Sequence, residues 1–165
     1  MKGFGLSGPG ILRMGNCILR LLVLVALGIF AGYELMDLPV ERRTFVFYRI
    51  GTEAAAVEER MLPRYAVAEQ EITRYVEEAL LGPVLPETAP LFCRDVSLRS
   101  LLYRNGTVYA DLSEYAVLPP APDTPLRDGE LDRSLRTLEE GIRRNFPQVR
   151  EIKLFINGNQ IFLSA

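Results

Sequence analysis

The chain has 165 residues, 48% apolar and 24% charged, which is the length of one domain and the composition of a globular one. Nineteen basic residues against 21 acidic leave a net charge of −2, with no basic excess to meet nucleic-acid phosphates. There is no histidine, which removes the commonest general base, the serine–histidine and cysteine–histidine pairs and most zinc sites.

The charge is segregated. Residues 1–33 carry Lys2, Arg13 and Arg20 and no acid, while the remainder is net acidic. Residues 17–33 are apolar except for Arg20. As a helix they would reach roughly 25 Å at ~1.5 Å per residue, slightly less than a hydrocarbon core of about 30 Å. Arg20 and Glu34 can snorkel at the two ends, and Tyr33 suits an interface. Three readings of this segment compete. The flanking charges favour an uncleaved signal anchor with residues 1–16 in the cytoplasm. A cleaved signal peptide would end after Ala31, but Ile29 is not the small residue usual at the −3 position. A buried helix of a soluble protein fits poorly with uniform apolarity and one-sided charge. Met14-Gly15-Asn16 before Cys17 is a poor lipoprotein signal, so no lipidation is expected.

Residues 34–43 read as a tether. Thr44 to Ile50 is β-branched and aromatic and stops at Gly51, a strand. Glu53 to Arg64 is ambiguous, with alanines and glutamates permitting a helical turn that Pro63 ends. Tyr65 to Val67 reads as a short strand. Glu69 to Leu81 is a helix whose apolar face is Ile72, Tyr75, Val76, Ala79 and Leu80, stopped by Gly82-Pro83. Val84 to Asp95 is a loop. Ser97–Arg104 and Thr107–Leu112 form a hairpin across Asn105-Gly106, a type I′ turn. A two-residue loop sets Tyr103 opposite Val108 and Leu101 opposite Ala110, with Leu112 on the same core face. The proline-rich stretch from Val117 to Arg127 is an exposed loop. Asp128 can cap a helix from Glu130 to Asn145, with Leu131, Leu135, Leu138 and Ile142 as its stripe. Gly141, on the flank of that stripe, would let the helix approach a sheet. A second hairpin crosses Asn157-Gly158, with Ile152, Leu154, Ile156, Ile161 and Leu163 on one face. The fold class expected is α+β: an N-terminal transmembrane helix, then a two-layer α/β domain over 44–165. Its element order is β, α, β-hairpin, α, β-hairpin.

The candidate chemistry is sparse. Cys93, beside Arg94, is the best nucleophile, but no histidine can serve as its base, so a structural cysteine is the simpler reading. Cys17 and Cys93 are too few for a disulfide framework, and across a membrane they could not pair. Asp95, Asp111, Glu114 and Asp123 could supply paired carboxylates or hold Ca²⁺. Their spacing matches neither a glycosidase pair nor an oxygen-ligand loop, and solvated charge is the plainer explanation. Arg143-Arg144 complements a helix C-terminus, and Arg42-Arg43 follows the anchor. Tyr48, Tyr65, Tyr109 and Phe155 would support glycan or lipid binding if they met in a groove; packing is simpler. No catalytic, cofactor-binding or metal-ligating residue is expected.

Together, Ala79-Leu80-Leu81-Gly82-Pro83, Val108-Tyr109-Ala110-Asp111-Leu112-Ser113, Asn145-Phe146-Pro147-Gln148-Val149 and Ile152 to Gly158 resemble the GerMN domain. That domain is the module of GerM-type sporulation and germination proteins, and the resemblance covers roughly Thr44 to Leu163. It implies a small α/β fold similar to the ring-building motif of secretion and sporulation assemblies. It also implies a noncatalytic, envelope-anchored role, in spore formers within a ring-like complex. The chain departs from the family pattern in having one such domain rather than two, and an apolar segment rather than a lipidated cysteine. The expectation is a single-pass envelope scaffold with an extracytoplasmic domain. Its partners would be the membrane through residues 17–33, copies of itself and envelope assembly proteins.

Overall fold

A computed structural model describes residues 19–30, 39–52, 54–120 and 129–162. The chain divides into two compact units, Met1–Pro39 and Val40–Ala165. In the first, residues 19–30 form a helix, α1, whose apolar side chains are exposed along its length. Such a helix spans roughly 18 Å. No helix among the described residues is long and apolar enough to cross a membrane. The rest of the expected span, at 17–18 and 31–33, lies outside the described residues.

The second unit opens with a hairpin. Strand β1 (Val40–Arg49) pairs antiparallel with β2 (Ala55–Pro63), from Val40 opposite Pro63 to Tyr48 opposite Ala55. Two expectations are corrected. β1 begins at Val40, so 40–43 belong to the strand and not to a tether; Glu41 and Arg43 sit at inward positions and hide the alternation. β2 replaces the ambiguous helical turn. Strand pairing overrides its alanine and glutamate propensities, and Pro63 is tolerated as the final strand residue. Tyr65 to Val67 is irregular, and Val67 is the N-cap of helix α2 (Ala68–Leu80).

Helix α2 buries Ile72, Tyr75, Val76, Ala79 and Leu80, the face expected from periodicity, and Gly82 closes it at φ +86°. The following loop contains a two-residue strand, β3 (Thr88–Ala89), paired with the end of β1. β4 (Leu98–Arg104) and β5 (Thr107–Leu112) form the expected hairpin, with Tyr103 opposite Val108 and Leu101 opposite Ala110. Its turn residues Asn105 and Gly106 both have positive φ, 53° and 84°, as a type I′ turn demands. A 3-10 turn (Glu114–Val117) follows.

Helix α3 (Glu130–Asn145) starts from Gly129 in a left-handed conformation, without a side-chain cap. Asp128, the expected cap, lies outside the described residues with most of the proline-rich loop. β6 (Glu151–Ile156) runs parallel to β5, and β7 (Asn159–Ile161) returns antiparallel across Asn157-Gly158. Leu163 lies outside the described residues. The result is mixed α+β, with a three-stranded sheet β2-β1-β3 and a four-stranded sheet β4-β5-β6-β7.

The inner face of the β1–β2 hairpin carries charge as well as rings. Phe45 and Phe47 are buried, and Phe45 stacks on Tyr75 of α2 at 4.6 Å between centroids. Arg60 lies over both phenylalanines, at 4.8 and 5.5 Å. It pairs with Glu58 at 2.8 Å and Glu78 at 3.4 Å, and donates to the Gly82 carbonyl at 2.7 Å. The Arg60 and Glu58 side chains are only 13% and 7% exposed. Burial alone would raise the Glu58 pKa. The Arg60 hydrogen bond and the Leu85 and Val84 N–H groups outweigh it, and hold the carboxyl below its ordinary value. Arg43 makes a parallel clasp, over the Phe146 ring at 4.3 Å, paired with Glu41 and Glu71 and donating to the Asn145 carbonyl.

Gly141 of α3 serves a different contact from the one expected. A Cβ there would lie 2.3 Å from the Tyr75 hydroxyl, so the glycine admits a side chain of α2 rather than a sheet. Tyr75 donates to the Thr44 carbonyl at 3.1 Å, and burial pushes its pKa up. Asn145 completes the junction. Its Oδ1 accepts from the Thr44 N–H at 2.9 Å, and its Nδ2 donates to the Thr44 carbonyl at 2.8 Å. The side-chain amide thus stands where a neighbouring strand would pair with β1.

Candidate functional site

The four-stranded sheet has two different faces because side chains alternate along each strand. Val108, Ala110, Leu112, Leu154 and Ile156 point into the core and are buried. On the opposite face the cross-strand rows are Leu102–Tyr109–Lys153 and Ser100–Asp111–Phe155–Gln160. Leu102 is exposed, while Tyr109 and Phe155 are half-buried. This gives an apolar centre with a charged frame. Lys153 lies 5.5 Å from the Tyr109 ring centroid and 3.6 Å from Glu151. Thr107 donates to Glu151 at 3.1 Å. Such a face can hold a partner by apolar area and orient it by charge.

The carboxylates singled out from sequence do not converge. Asp111 accepts from the Gly158 N–H at 3.0 Å and faces Arg99 at 3.9 Å. Glu114 accepts from Asn157, whose Oδ1 in turn accepts from Arg99. Both acids therefore touch the Asn157-Gly158 turn; Glu114 remains exposed, as expected of solvated charge, while Asp111 is half-buried and braces the turn. The reason is local: that turn leaves a backbone N–H to be satisfied at the end of the sheet. Asp95 is exposed in the turn before β4, and Asp123 lies outside the described residues. Cys93 is a free, half-buried thiol, and the neighbouring Arg94 is exposed. No group of three His, Cys, Asp or Glu among the described residues could hold a metal ion.

The basic pairs also have structural partners. Arg43 is buried in the clasp and Arg42 pairs with Glu59 at 3.1 Å. Arg143 and Arg144 stand in the last turn of α3, with Arg143 paired to Glu139 at 2.7 Å. Of the four aromatics, the fold brings two together: Tyr109 and Phe155 are diagonal neighbours on the open face. Tyr48 bonds Thr137 of α3 at 3.1 Å, and Tyr65 precedes α2. Leu102 was missed. Its place on a strand between core residues was the available signal.

No protein-family model and no curated protein matches the sequence. Solved structures do. The first GerMN domain of the sporulation protein GerM from Bacillus subtilis is 18% identical over 72% of this chain and 85% of that one, with a TM-score of 0.51. The tandem GerMN domains of the same protein are 16% identical over 74% of this chain, with a TM-score of 0.52. The fold is GerMN-like. The chain spans only 41% of the tandem structure.

Proposed function

We propose that the chain is a noncatalytic contact module of the cell envelope. Residues 17–33 act as a signal anchor with the N-terminus in the cytoplasm, and the GerMN-like domain works outside. The open face of the four-stranded sheet carries the reading: an apolar centre of Leu102, Tyr109 and Phe155 inside a charged frame suits protein contact. The one-sided basic flank of residues 1–33 supports the anchor. The GerMN-like fold suggests a sporulation or other envelope assembly, of the ring-like kind, as the setting. Anchoring confines the domain to two dimensions and raises its effective concentration, so contacts weak in solution become sufficient.

A second reading, binding of a glycan or lipid, is favoured by the adjacency of Tyr109 and Phe155 alone. In-cell crosslinking of the full-length protein, with mass spectrometry of captured partners, separates the two. The assembly reading expects envelope proteins, and their loss by at least fivefold in Leu102→Glu. Capture of glycan or lipid without protein partners promotes the second reading. A protein set unchanged by Leu102→Glu overturns the role given to the open face.

A further inference from the structure

Every sheet ends in strands whose outer N–H and C=O groups can template another strand, and folded proteins ordinarily blunt such edges. Here the edges are treated unequally. The free side of β1 is occupied by β3 and by the Asn145 amide. β4 carries a register break between Leu98 and Ser100, and its Tyr103 N–H is capped by Glu69 at 2.8 Å. β7 runs only from Asn159 to Ile161. β2 is guarded differently, by the inward charges of Glu58 and Arg60, which its own chain neutralises. It pairs with β1 without a register break, has proline only at its last position, and no strand among the described residues lies on its other side. Its outward side chains include Val57 and Met61, each 58% exposed.

The sequence of β2 is self-complementary in one antiparallel register. Centred on Glu59, a two-fold pairing sets Val57 opposite Met61, Ala56 opposite Leu62, and Glu58 opposite Arg60. Shifting the centre to 58 or 60 breaks the Val57–Met61 match and sets Glu58 or Arg60 against its own copy, where side chains only 7% and 13% exposed lack the solvent screening open to Glu59 at 55%. In the Glu59 register the two central carboxylates do meet. Each has Arg42 beside it at 3.1 Å as countercharge. We propose that β2 is the site at which a second copy of this chain adds, edge to edge, in the register centred on Glu59. The two hairpins then form one continuous sheet about a two-fold axis. The inference deepens the assembly reading and rests on it for a protein occupant. It uses a surface other than the open face, so the two can fail separately.

The test is cysteine pairing in the full-length chain, purified in detergent, with Cys17 and Cys93 replaced by serine. Directly opposed antiparallel residues have Cα atoms about 4.5–5.5 Å apart, within disulfide range. Glu59→Cys should form an interchain disulfide under mild oxidation. Val57→Cys and Met61→Cys should each crosslink with themselves at least tenfold less, because four residues of offset separate identical positions by about 13 Å. Mixed together, those two variants should crosslink with each other. The mixture retains Glu59, so its result does not depend on removing that charge. Equal self-crosslinking of Val57→Cys and Glu59→Cys, or no disulfide in any combination, overturns the proposal. Loss of Leu102→Glu-sensitive partners with β2 crosslinking intact would concern the open face alone.

Discussion

On the core face of the four-stranded sheet stand Val108, Ala110, Leu112, Leu154 and Ile156, all buried and all aliphatic. On the inner face of the β1–β2 hairpin stand Arg43, Phe45, Phe47, Glu58, Arg60 and Leu62. Both faces bury area, but by different physics. The first needs only apolar contact. The second places guanidinium groups over rings and pairs their terminal nitrogens with carboxylates and backbone carbonyls, leaving only the Arg60 Nε unpartnered among the buried side-chain polar atoms described, so its parts depend on one another. A buried ion pair is no stronger than a good apolar packing, yet far more sensitive to losing one member.

The largest expected effect follows from that asymmetry. Arg60→Ala strips Glu58 of its principal partner and should cost about 3–5 kcal/mol in urea unfolding at neutral pH. Leu154→Ala, on the aliphatic side, should cost about 2–5 kcal/mol through cavity formation. pH distinguishes the two. Glu58 titrates below its ordinary value of 4.5 in the folded protein. Its contribution is therefore complete above that value and lost as pH falls through the lowered folded pKa. The Arg60→Ala cost should shrink over the acid range, as protonation relieves the stranded carboxylate, while the Leu154→Ala cost should not follow it. Equal pH dependence in the two variants would remove the distinction between the faces.

Gly141→Ala comes next, at about 1–3 kcal/mol of overpacking against the Tyr75 hydroxyl. Tyr75 is buried and stacked on Phe45, so it cannot simply swing away. Tyr75→Phe in the same chain should recover most of that loss, and a double-mutant cycle by chemical denaturation measures the coupling. Additivity of the two changes would refute the contact. The smallest effect belongs to the exposed Arg42–Glu59 pair: Arg42→Ala should change monomer stability by less than about 1 kcal/mol. A larger loss at low protein concentration would mean that Arg42 has structural duties beyond that pair.

Elements with strict periodicity were legible from residue order. The buried face of α2, the Asn105-Gly106 and Asn157-Gly158 turns, and the Tyr103–Val108 register all follow from neighbours a few residues apart. The resemblance to the GerMN domain rests on those same segments and agrees with the fold found. β2 was not legible, because its inward positions are filled by Glu58 and Arg60 and the apolar alternation that marks a strand is missing. Nor was the start of β1, where Glu41 and Arg43 do the same. The candidate surface was half legible: Tyr109 and Phe155 were singled out, but without the register of β5 against β6 nothing said they were neighbours.

What local order determined here is the set of helices and turns, since helix periodicity and turn dihedrals are properties of short stretches of chain. The tertiary structure alone decided which partners pair with the buried ions, that Asn145 closes the edge of β1 from 101 positions away, and that no strand among the described residues pairs with the outer edge of β2. Burial reverses the meaning of a charged residue: Arg60 is held inward by the rings of Phe45 and Phe47, by Glu58 and Glu78 and by the Gly82 carbonyl, which residue order alone does not bring together.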